Sequence, residues 1–306
     1  MEIFAINDSN INEAVERAAA LLRVHEVIAL PTDTVYGLAA DARSEAAVEK
    51  VFALRAYPKN TPARAMSQFS SSQGTTTRLY QEVRREGVTK DGRKVAIARR
   101  VAAFFPSRFV TPRSQYLGYS FLGKPRGDDK NARNAGWDIF GVGSQGRATE
   151  KALPIFVSSA EMLDEVAYVR DARIGEFLAA VWPGAVTAVL PARGWLPLSL
   201  RGGSLTIAMR IPDNFFVQKV IEKFGGPITG TSANLSGHPA CLTAADVERE
   251  FKHLPLTPAA LFSNGGASAG TSSTIVDCTA FPPKILRVGA VSEGDIMELV
   301  NKCAIK

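Results

Sequence analysis

Two polar segments carry side chains that could bind a small ligand. The first, residues 31–37, reads Pro-Thr-Asp-Thr-Val-Tyr-Gly and follows the apolar run of residues 27–30. Threonine hydroxyls donate and accept hydrogen bonds, an ionised aspartate only accepts them, and tyrosine adds a flat apolar face with one hydroxyl. Thr and Asp also build ordinary turns by bonding to nearby backbone groups. The segment alone therefore leaves a ligand site and a capped turn equally open.

The second segment, residues 229–237, reads Thr-Gly-Thr-Ser-Ala-Asn-Leu-Ser-Gly and follows the short apolar run 227–228. Ser232 and Asn234 are two residues apart, so in an extended chain both side chains point to the same face. A hydroxyl and an amide can hold a carboxylate, a carbamate or a phosphate without titrating. The alternative is a helix cap or turn, which Ser, Asn and Gly favour when the segment is taken alone.

Strands and helices alternate around these segments, which predicts a mixed α/β core. Capping residues and apolar periodicity predict helices at residues 10–23 (capped by Asn10), from Ser44, from Ser158 or Ser159, at 174–181, after Asp213, from Thr243 and from Ser292. Short apolar runs predict strands at residues 27–30, 153–157, 186–190, 205–211, just before 229, 273–277 and 285–288. Because open α/β sheets bind ligands beyond strand ends, both polar segments are well placed for a site.

Composition is that of a globular protein, with 46% apolar and 22% charged residues among 306. No apolar run is long enough to span a bilayer, and the N-terminus lacks the pattern of a secretory or transit signal. Cys241, Cys278 and Cys303 are widely spaced, as are the three histidines. That spacing argues against a disulfide framework and against a metal site built from protein ligands. We therefore expect a cytoplasmic protein without membrane contact.

The motifs resemble those of the YrdC/Sua5 family, the threonylcarbamoyl-AMP synthases. Residues 31–38, Pro-Thr-Asp-Thr-Val-Tyr-Gly-Leu, are similar to its opening motif, and residues 231–237 are similar to its Ser-x-Asn motif. Four further stretches look like family motifs in the same order: residues 182–187, 208–213, 272–277 and 285–290. The resemblance covers residues 1–60 and 151 to about 300, which makes it far more specific than any single motif.

The resemblance implies a twisted, mixed but largely parallel sheet with flanking helices around a wide cleft. It implies a nucleotidyltransferase that condenses L-threonine, bicarbonate and ATP to threonylcarbamoyl-adenylate and pyrophosphate. Mg²⁺ would arrive with the nucleotide, and the product would feed a downstream transferase complex that makes t6A at adenosine 37 of tRNA. Since the chain ends near its last helix, it resembles the single-domain members. A related carbamoyl-transfer domain of the hydrogenase-maturation type would be preceded by segments not seen here.

The resemblance also implies roles for individual residues. The predicted catalytic residues are Arg55, Ser232 and Asn234. Contacts to threonine and carbamate are predicted for Thr32, Thr34, Tyr36 and Thr231, although Tyr36 could equally be a core aromatic. Nucleotide contacts are predicted for Lys59, Arg210, Ser273 and Arg287, although an arginine is more commonly an ordinary surface residue.

One departure from the family concerns its Lys-x-Arg pair, which is replaced here by Arg55 and Tyr57. Arginine keeps the charge without the compact ammonium of lysine, and tyrosine removes a cation. Lys59 could supply some of the missing charge. A non-catalytic RNA-binding protein with the same fold, binding tRNA or double-stranded RNA, is therefore the alternative to an enzyme.

A second departure is the basic block of residues 61–150. It holds 16 Lys and Arg against 7 Asp and Glu, a net of +9, whereas the remainder holds 20 against 23, a net of −3. Removing it joins family-like sequence, which predicts an insertion in a discontinuous domain made of residues 1–60 and 151–306. Its Ser/Thr/Gly-rich composition and missing apolar period favour a poorly structured segment, including one translated from an unspliced intron. A lid over the cleft and a basic RNA-binding module are the alternatives.

Overall fold

Seven helices pack on two sheets in a computed structural model that describes residues 1–56, 152–265 and 269–305. The basic block 61–150, Tyr57 and Lys59 lie outside the described residues. The helices are α1 Ile11–Arg23, α2 Glu45–Arg55, α3 Ala160–Val166, α4 Ala172–Val181, α5 Phe215–Phe224, α6 Ala244–Phe251 and α7 Glu293–Ala304. The expected mixed α/β class is confirmed.

The strands are short. They are β1 Glu2–Ala5, β2 Ile28–Leu30, β3 Gly37–Ala39, β4 Ile155–Phe156, β5 Val186–Pro191, β6 Thr206–Arg210, β7 Ile228–Thr229, β8 Thr231–Ser232, β9 Ala260–Ser263, β10 Thr274–Asp277 and β11 Lys284–Arg287. Sheet A has the order β1-β9-β2-β3-β8, and sheet B has the order β11-β10-β5-β6-β4-β7. Of the nine strand pairs in the described residues, four are parallel and five antiparallel, so parallel pairing does not dominate.

Helix starts agree closely with the capping residues read from the sequence. Ser44, Ser159 and Ser292 each accept a hydrogen bond from a backbone N–H of the first turn. Thr243 and Asp246 form a reciprocal capping box at the start of α6. The prediction for Asn10 was wrong in detail: it precedes α1, but its amide donates to the Ala5 carbonyl and makes no cap bond.

Two apolar clusters hold the sheets and helices together. One packs α1 and α5 on β2 and β9 and includes Leu22, Phe216 and Phe262. The other, larger cluster packs α2, α4, α6 and α7 around both sheets. Within the described ranges, no helix combines the length and the apolar composition needed to cross a bilayer.

The chain passes from sheet B to sheet A at Gly230, between β7 and β8. β8 pairs with β3, and β3 pairs with β2, so the strands that precede the two polar segments flank β3 on either side. The fold therefore brings together segments that are about 200 residues apart in sequence.

Candidate functional site

The loop after β2 is a turn organised by Thr32. Its Oγ1 donates to the Val35 carbonyl at 2.7 Å and accepts from the backbone N–H of Thr34 at 3.1 Å and of Val35 at 3.3 Å. The side chain is 5% exposed. The turn interpretation is therefore correct for Thr32, and its predicted contact with threonine would have to compete with these bonds.

Arg210 holds this loop from the end of β6. Its Nη1 donates to Asp33 Oδ2 at 2.9 Å and to the Gly184 carbonyl at 3.3 Å, while its Nη2 donates to Thr34 Oγ1 at 2.9 Å. The side chain is 3% exposed, and burial lowers the pKa of Arg210 although the Asp33 carboxylate opposes the shift. Because these donors are directed at the protein, the geometry gives Arg210 a positioning role. Its direct contact with nucleotide stays a prediction.

A close aromatic contact lies on the other side of the guanidinium. The Phe156 ring centroid is 5.0 Å from Arg210 Cζ. The same ring packs so tightly on Gly230 that a Cβ there would come within 2.4 Å of a ring atom. Glycine is therefore required where the chain crosses between the sheets.

The Ser-x-Asn segment differs from the extended strand expected from its sequence. The backbone N–H of Asn234 donates to the Ser232 carbonyl at 3.0 Å, a two-residue closure that turns the chain. Asn234 Nδ2 donates to the carbonyls of Leu235 and His238, both at 2.8 Å. The expectation that Asn234 offers amide donors to a ligand is therefore not met, since both donors are used. Its Oδ1 is buried and has no hydrogen-bond partner among the described residues.

Two residues that sequence reasoning missed brace this turn. Glu250 on α6 accepts from the Leu235 N–H at 2.8 Å and lies 2.7 Å from His238 Nδ1. The His238 carbonyl in turn receives the Asn234 amide. Glutamate in an amphipathic helix ordinarily faces solvent, so nothing in the sequence distinguishes Glu250 from its neighbours.

Arg55 reaches the same segment from the end of α2. Its Nη1 donates to the Ser232 carbonyl at 3.2 Å, and its own carbonyl accepts from the Ser236 N–H at 2.9 Å. Burial lowers the pKa of Arg55. The structure therefore brings the three predicted catalytic residues together, with the Ser232 side chain half-buried and Asn234 buried.

Ser273 and Arg287 form a second predicted group on sheet B. Arg287 Nη2 donates to the Ser273 carbonyl at 2.7 Å, and Ser273 Oγ lies 2.8 Å from Thr187 Oγ1. Arg287 is an exposed residue, but neighbouring atoms partly desolvate its guanidinium and lower its pKa. Ala188 on β5 pairs with Met209 on the antiparallel strand β6. The adjacent position in this register places Thr187 opposite Arg210. The group thus adjoins the Arg210 network.

Tyr36 and Thr231 are enclosed by protein. The Tyr36 side chain is fully buried and Thr231 is 6% exposed. Burial raises the pKa of Tyr36. The nearby Ser263 lowers this pKa in part, although its contact with the Tyr36 hydroxyl does not have the geometry of an ordinary hydrogen bond. For Tyr36 the core alternative therefore describes the structure, because no part of its ring is open to a ligand.

A cavity of about 440 Å³ opens at the far end of sheet B. Thr206, Asp277 and the buried Arg201 line it, and in the part of the chain that the structure describes Arg201 Nε has no partner. Thr187 and Pro191 are four residues apart on β5, so their side chains lie on the same face of the sheet, about 13 Å apart. Because Pro191 also lines the cavity, the cavity lies about that far from Thr187. Sequence reasoning did not single out these residues, since Arg201 lies in a Gly-rich loop.

Comparison with known proteins bears on this arrangement. The sequence profile of the Sua5/YciO/YrdC family, described as "Telomere recombination", matches residues 20–119 and 142–289. A threonylcarbamoyl-AMP synthase of Pyrococcus abyssi is 30% identical over 162 residues, which is 53% of this chain and 47% of that protein. Its Bacillus subtilis counterpart is 22% identical over 288 residues, covering 94% of this chain and 56% of the relative.

A solved structure shares the fold. The crystal structure of P. abyssi Sua5 complexed with L-threonine aligns with a TM-score of 0.60 and 22% identity, over 97% of this chain and 59% of that one. The matched part of the chain thus spans about half the length of these P. abyssi and B. subtilis relatives. Because the family profile covers most of the sequence, the chain belongs to the Sua5/YciO/YrdC family.

Proposed function

We propose that this chain carries the adenylate-forming site of a threonylcarbamoyl-AMP synthase. In the reaction, the amino nitrogen of L-threonine bonds to the carbon of bicarbonate and water leaves. A carbamate oxygen then attacks the α-phosphorus of ATP, and pyrophosphate departs. The observation that supports the proposal best is the contact of Arg55 with the Ser232 carbonyl, since it joins two distant family motifs at one place.

The chemistry requires cations near phosphate and neutral groups near the carbamate. Arg55 and Arg287 provide guanidinium groups at the carbonyls of Ser232 and Ser273, and neither has a carboxylate partner among the described residues. Ser232 provides a half-buried hydroxyl that can donate to the carbamate. Arg210 acts one step away by holding Asp33 and Thr34 in place.

ATP needs a long binding surface. Ser273 and Arg287 lie at one end of the face of sheet B that carries Thr187, and the cavity lined by Thr206 lies at the other. We propose that the phosphates lie near Arg287 and that the nucleoside extends toward the cavity. Mg²⁺ would enter bound to the phosphate oxygens, which are the ligands it prefers.

A pyrophosphate-release assay with L-threonine, bicarbonate, ATP and Mg²⁺ tests the proposal. We expect release that requires all of the first three, and a loss of at least about tenfold in Ser232→Ala, because a hydrogen bond to a charged group such as the carbamate contributes about 1.5–3 kcal/mol. Ser9→Ala is a matched control, because the Ser9 hydroxyl donates to Asn7 Oδ1 at the surface, outside both the Ser-x-Asn segment and the cavity. Threonine-independent release, or unchanged turnover in Ser232→Ala, would contradict the assignment.

The assay also separates the enzyme from the RNA-binding alternative. A chain that binds tRNA but releases no pyrophosphate would be a non-catalytic member of the fold. An active chain would act in the cytoplasm, and its labile product would pass to a transferase that modifies adenosine 37 of tRNA. Tyr57→Arg combined with Arg55→Lys should raise turnover, because it restores the cation that Tyr57 replaces and the compact ammonium of the family's Lys-x-Arg pair.

A further inference from the structure

The cavity at the far end of sheet B is lined by a buried cation, Arg201, which is 5% exposed. No described carboxylate forms an ion pair with it. Its Nη1 donates to the Ser204 carbonyl at 2.8 Å, and its Nε is enclosed without a partner among the described residues. Its Nη2 is not bonded to a described group and, unlike Nε, is not enclosed. A buried charge is unfavourable unless it is paired, so Arg201 requires a counter-charge.

Three adjacent strands of sheet B position the other polar groups of the cavity. In the pairing of β10 with β5, Asp277 lies opposite Val189. In the pairing of β5 with β6, Thr206 lies opposite Pro191. Because Val189 and Pro191 are two residues apart on one strand, all four side chains are on the same face of the sheet. The register therefore explains why a carboxylate and a hydroxyl line the same cavity as Arg201.

The loop that carries Arg201 is fixed by its own hydrogen bonds. The Leu153 N–H donates to the carbonyl of the fully buried Leu200 at 2.9 Å. The Ser204 N–H donates to the Arg201 carbonyl at 3.0 Å, and Ser204 Oγ accepts from the Thr206 N–H at 3.1 Å. The guanidinium is thus held at the wall of the cavity before a ligand binds, which lowers the entropic cost of binding.

The charges along the wall favour an anion. Arg170 also lines the cavity, is exposed, and forms no ion pair with a described carboxylate. Asp277 does not neutralise either arginine, since its Oδ1 accepts from the N–H and the hydroxyl of Thr279 at 2.9 and 2.7 Å. Two arginines against one aspartate give the lining a net charge of +1.

The chemistry of these groups selects the ligand. A guanidinium matches the oxygens of a phosphate or carboxylate group, and charge-assisted bonds of this kind are strong. Asp277 and Thr206 can bond to hydroxyl groups elsewhere in the same ligand. The volume of about 440 Å³ is typical of small-molecule sites. The nucleoside part of ATP is uncharged, so its approach to the cavity leaves Arg201 without a counter-charge.

We propose that the cavity binds a small hydroxylated organic anion, whose phosphate or carboxylate group pairs with Arg201 and Arg170. The inference does not rest on the proposed function. Calorimetric titration of the full chain with glycerol 3-phosphate, glycerate and uncharged glycerol tests it. We expect at least one of the two anions to bind at least about tenfold more tightly than glycerol, because a hydrogen bond between charged groups exceeds a neutral one. The preferred anion distinguishes phosphate from carboxylate.

Two variants locate the bound anion. Arg201→Met should lower its affinity at least about tenfold. Arg170→Met should lower it by a smaller factor, because water screens an exposed charge. Arg173→Met is the matched control for Arg170, since Arg173 is also exposed, pairs with Asp171 and does not line the cavity. Melting curves will show whether Arg201→Met folds, and Arg170→Met and the comparison of the three probes decide the question if it does not.

Equal binding of the anions and glycerol, or unchanged anion affinity in both variants, would overturn the inference. Displacement of the bound anion by adenosine would assign the cavity to the nucleotide substrate and would overturn it as well. If affinity is lost in Arg287→Met and kept in Arg201→Met, the anion binds where the proposed function places the phosphates. The inference would then be wrong while the proposed function stands.

Discussion

Replacing Arg210 by methionine should destabilise the protein strongly. The guanidinium is 3% exposed and donates to Asp33, Thr34 and the Gly184 carbonyl. Methionine fills much of the volume but leaves the Asp33 carboxylate without its cation. Removing one partner of a buried ion pair costs about 3–5 kcal/mol, because the remaining charge stays desolvated. Asp33 retains some contact with water, so we expect a value near the lower end, about 3 kcal/mol.

Urea unfolding measures this cost as a change in the free energy of unfolding. Arg17→Met is the control, since Arg17 pairs with Glu2 at 2.7 Å with both side chains over 40% exposed. An exposed pair of this kind is screened by solvent, so Arg17→Met should change the free energy of unfolding far less than Arg210→Met. The double variant Arg210→Met, Asp33→Asn should recover more than about 1 kcal/mol relative to the sum of the single changes. If Arg210→Met costs no more than Arg17→Met, the central role given to this network is wrong.

Three further predictions concern other parts of the chain. Gly230→Ala should lower the free energy of unfolding by about 1–3 kcal/mol, because its Cβ would overlap a buried ring, whereas Gly194→Ala, with open space, should not. Hydrogen bonds from Thr243 lower the pKa of Asp246, so its contribution to stability is present above the ordinary pKa of 3.8 and is lost as the pH falls below it. Asp246→Asn should flatten the stability profile between pH 4 and pH 2, and an unchanged slope would count against the cap. Deleting residues 61–150 should leave a chain that melts cooperatively, since loop closure costs little. The shortened chain should bind polyanions more weakly, because the deleted block is basic. An unfolded product would make the block integral to the fold.

The sequence determined the type and the start of most elements. Hydroxyl and carboxyl side chains before apolar periodic runs mark helix starts through local bonding, which does not depend on the rest of the chain. Ser44 and Thr243 therefore cap helices where they were predicted. Strand β9, Ala260–Ser263, was missed, although it lies between β1 and β2 in sheet A. Its four residues, Ala-Leu-Phe-Ser, are too few to show a period, and its parallel pairing with β1 and β2 is visible only in the folded chain.

For the candidate site, the sequence supplied the motif residues and their chemical types, because these follow from side-chain chemistry alone. The tertiary structure decided which of their atoms are available to a ligand. The hydroxyl of Thr32 is used by its own turn, Tyr36 is enclosed in the core, and Arg210 is directed at Asp33. Asn234 presents an acceptor and not the expected donors. A hydrogen-bonding group can serve the ligand only if no part of the folded chain has already bound it, and that competition depends on contacts between residues nearly 180 positions apart.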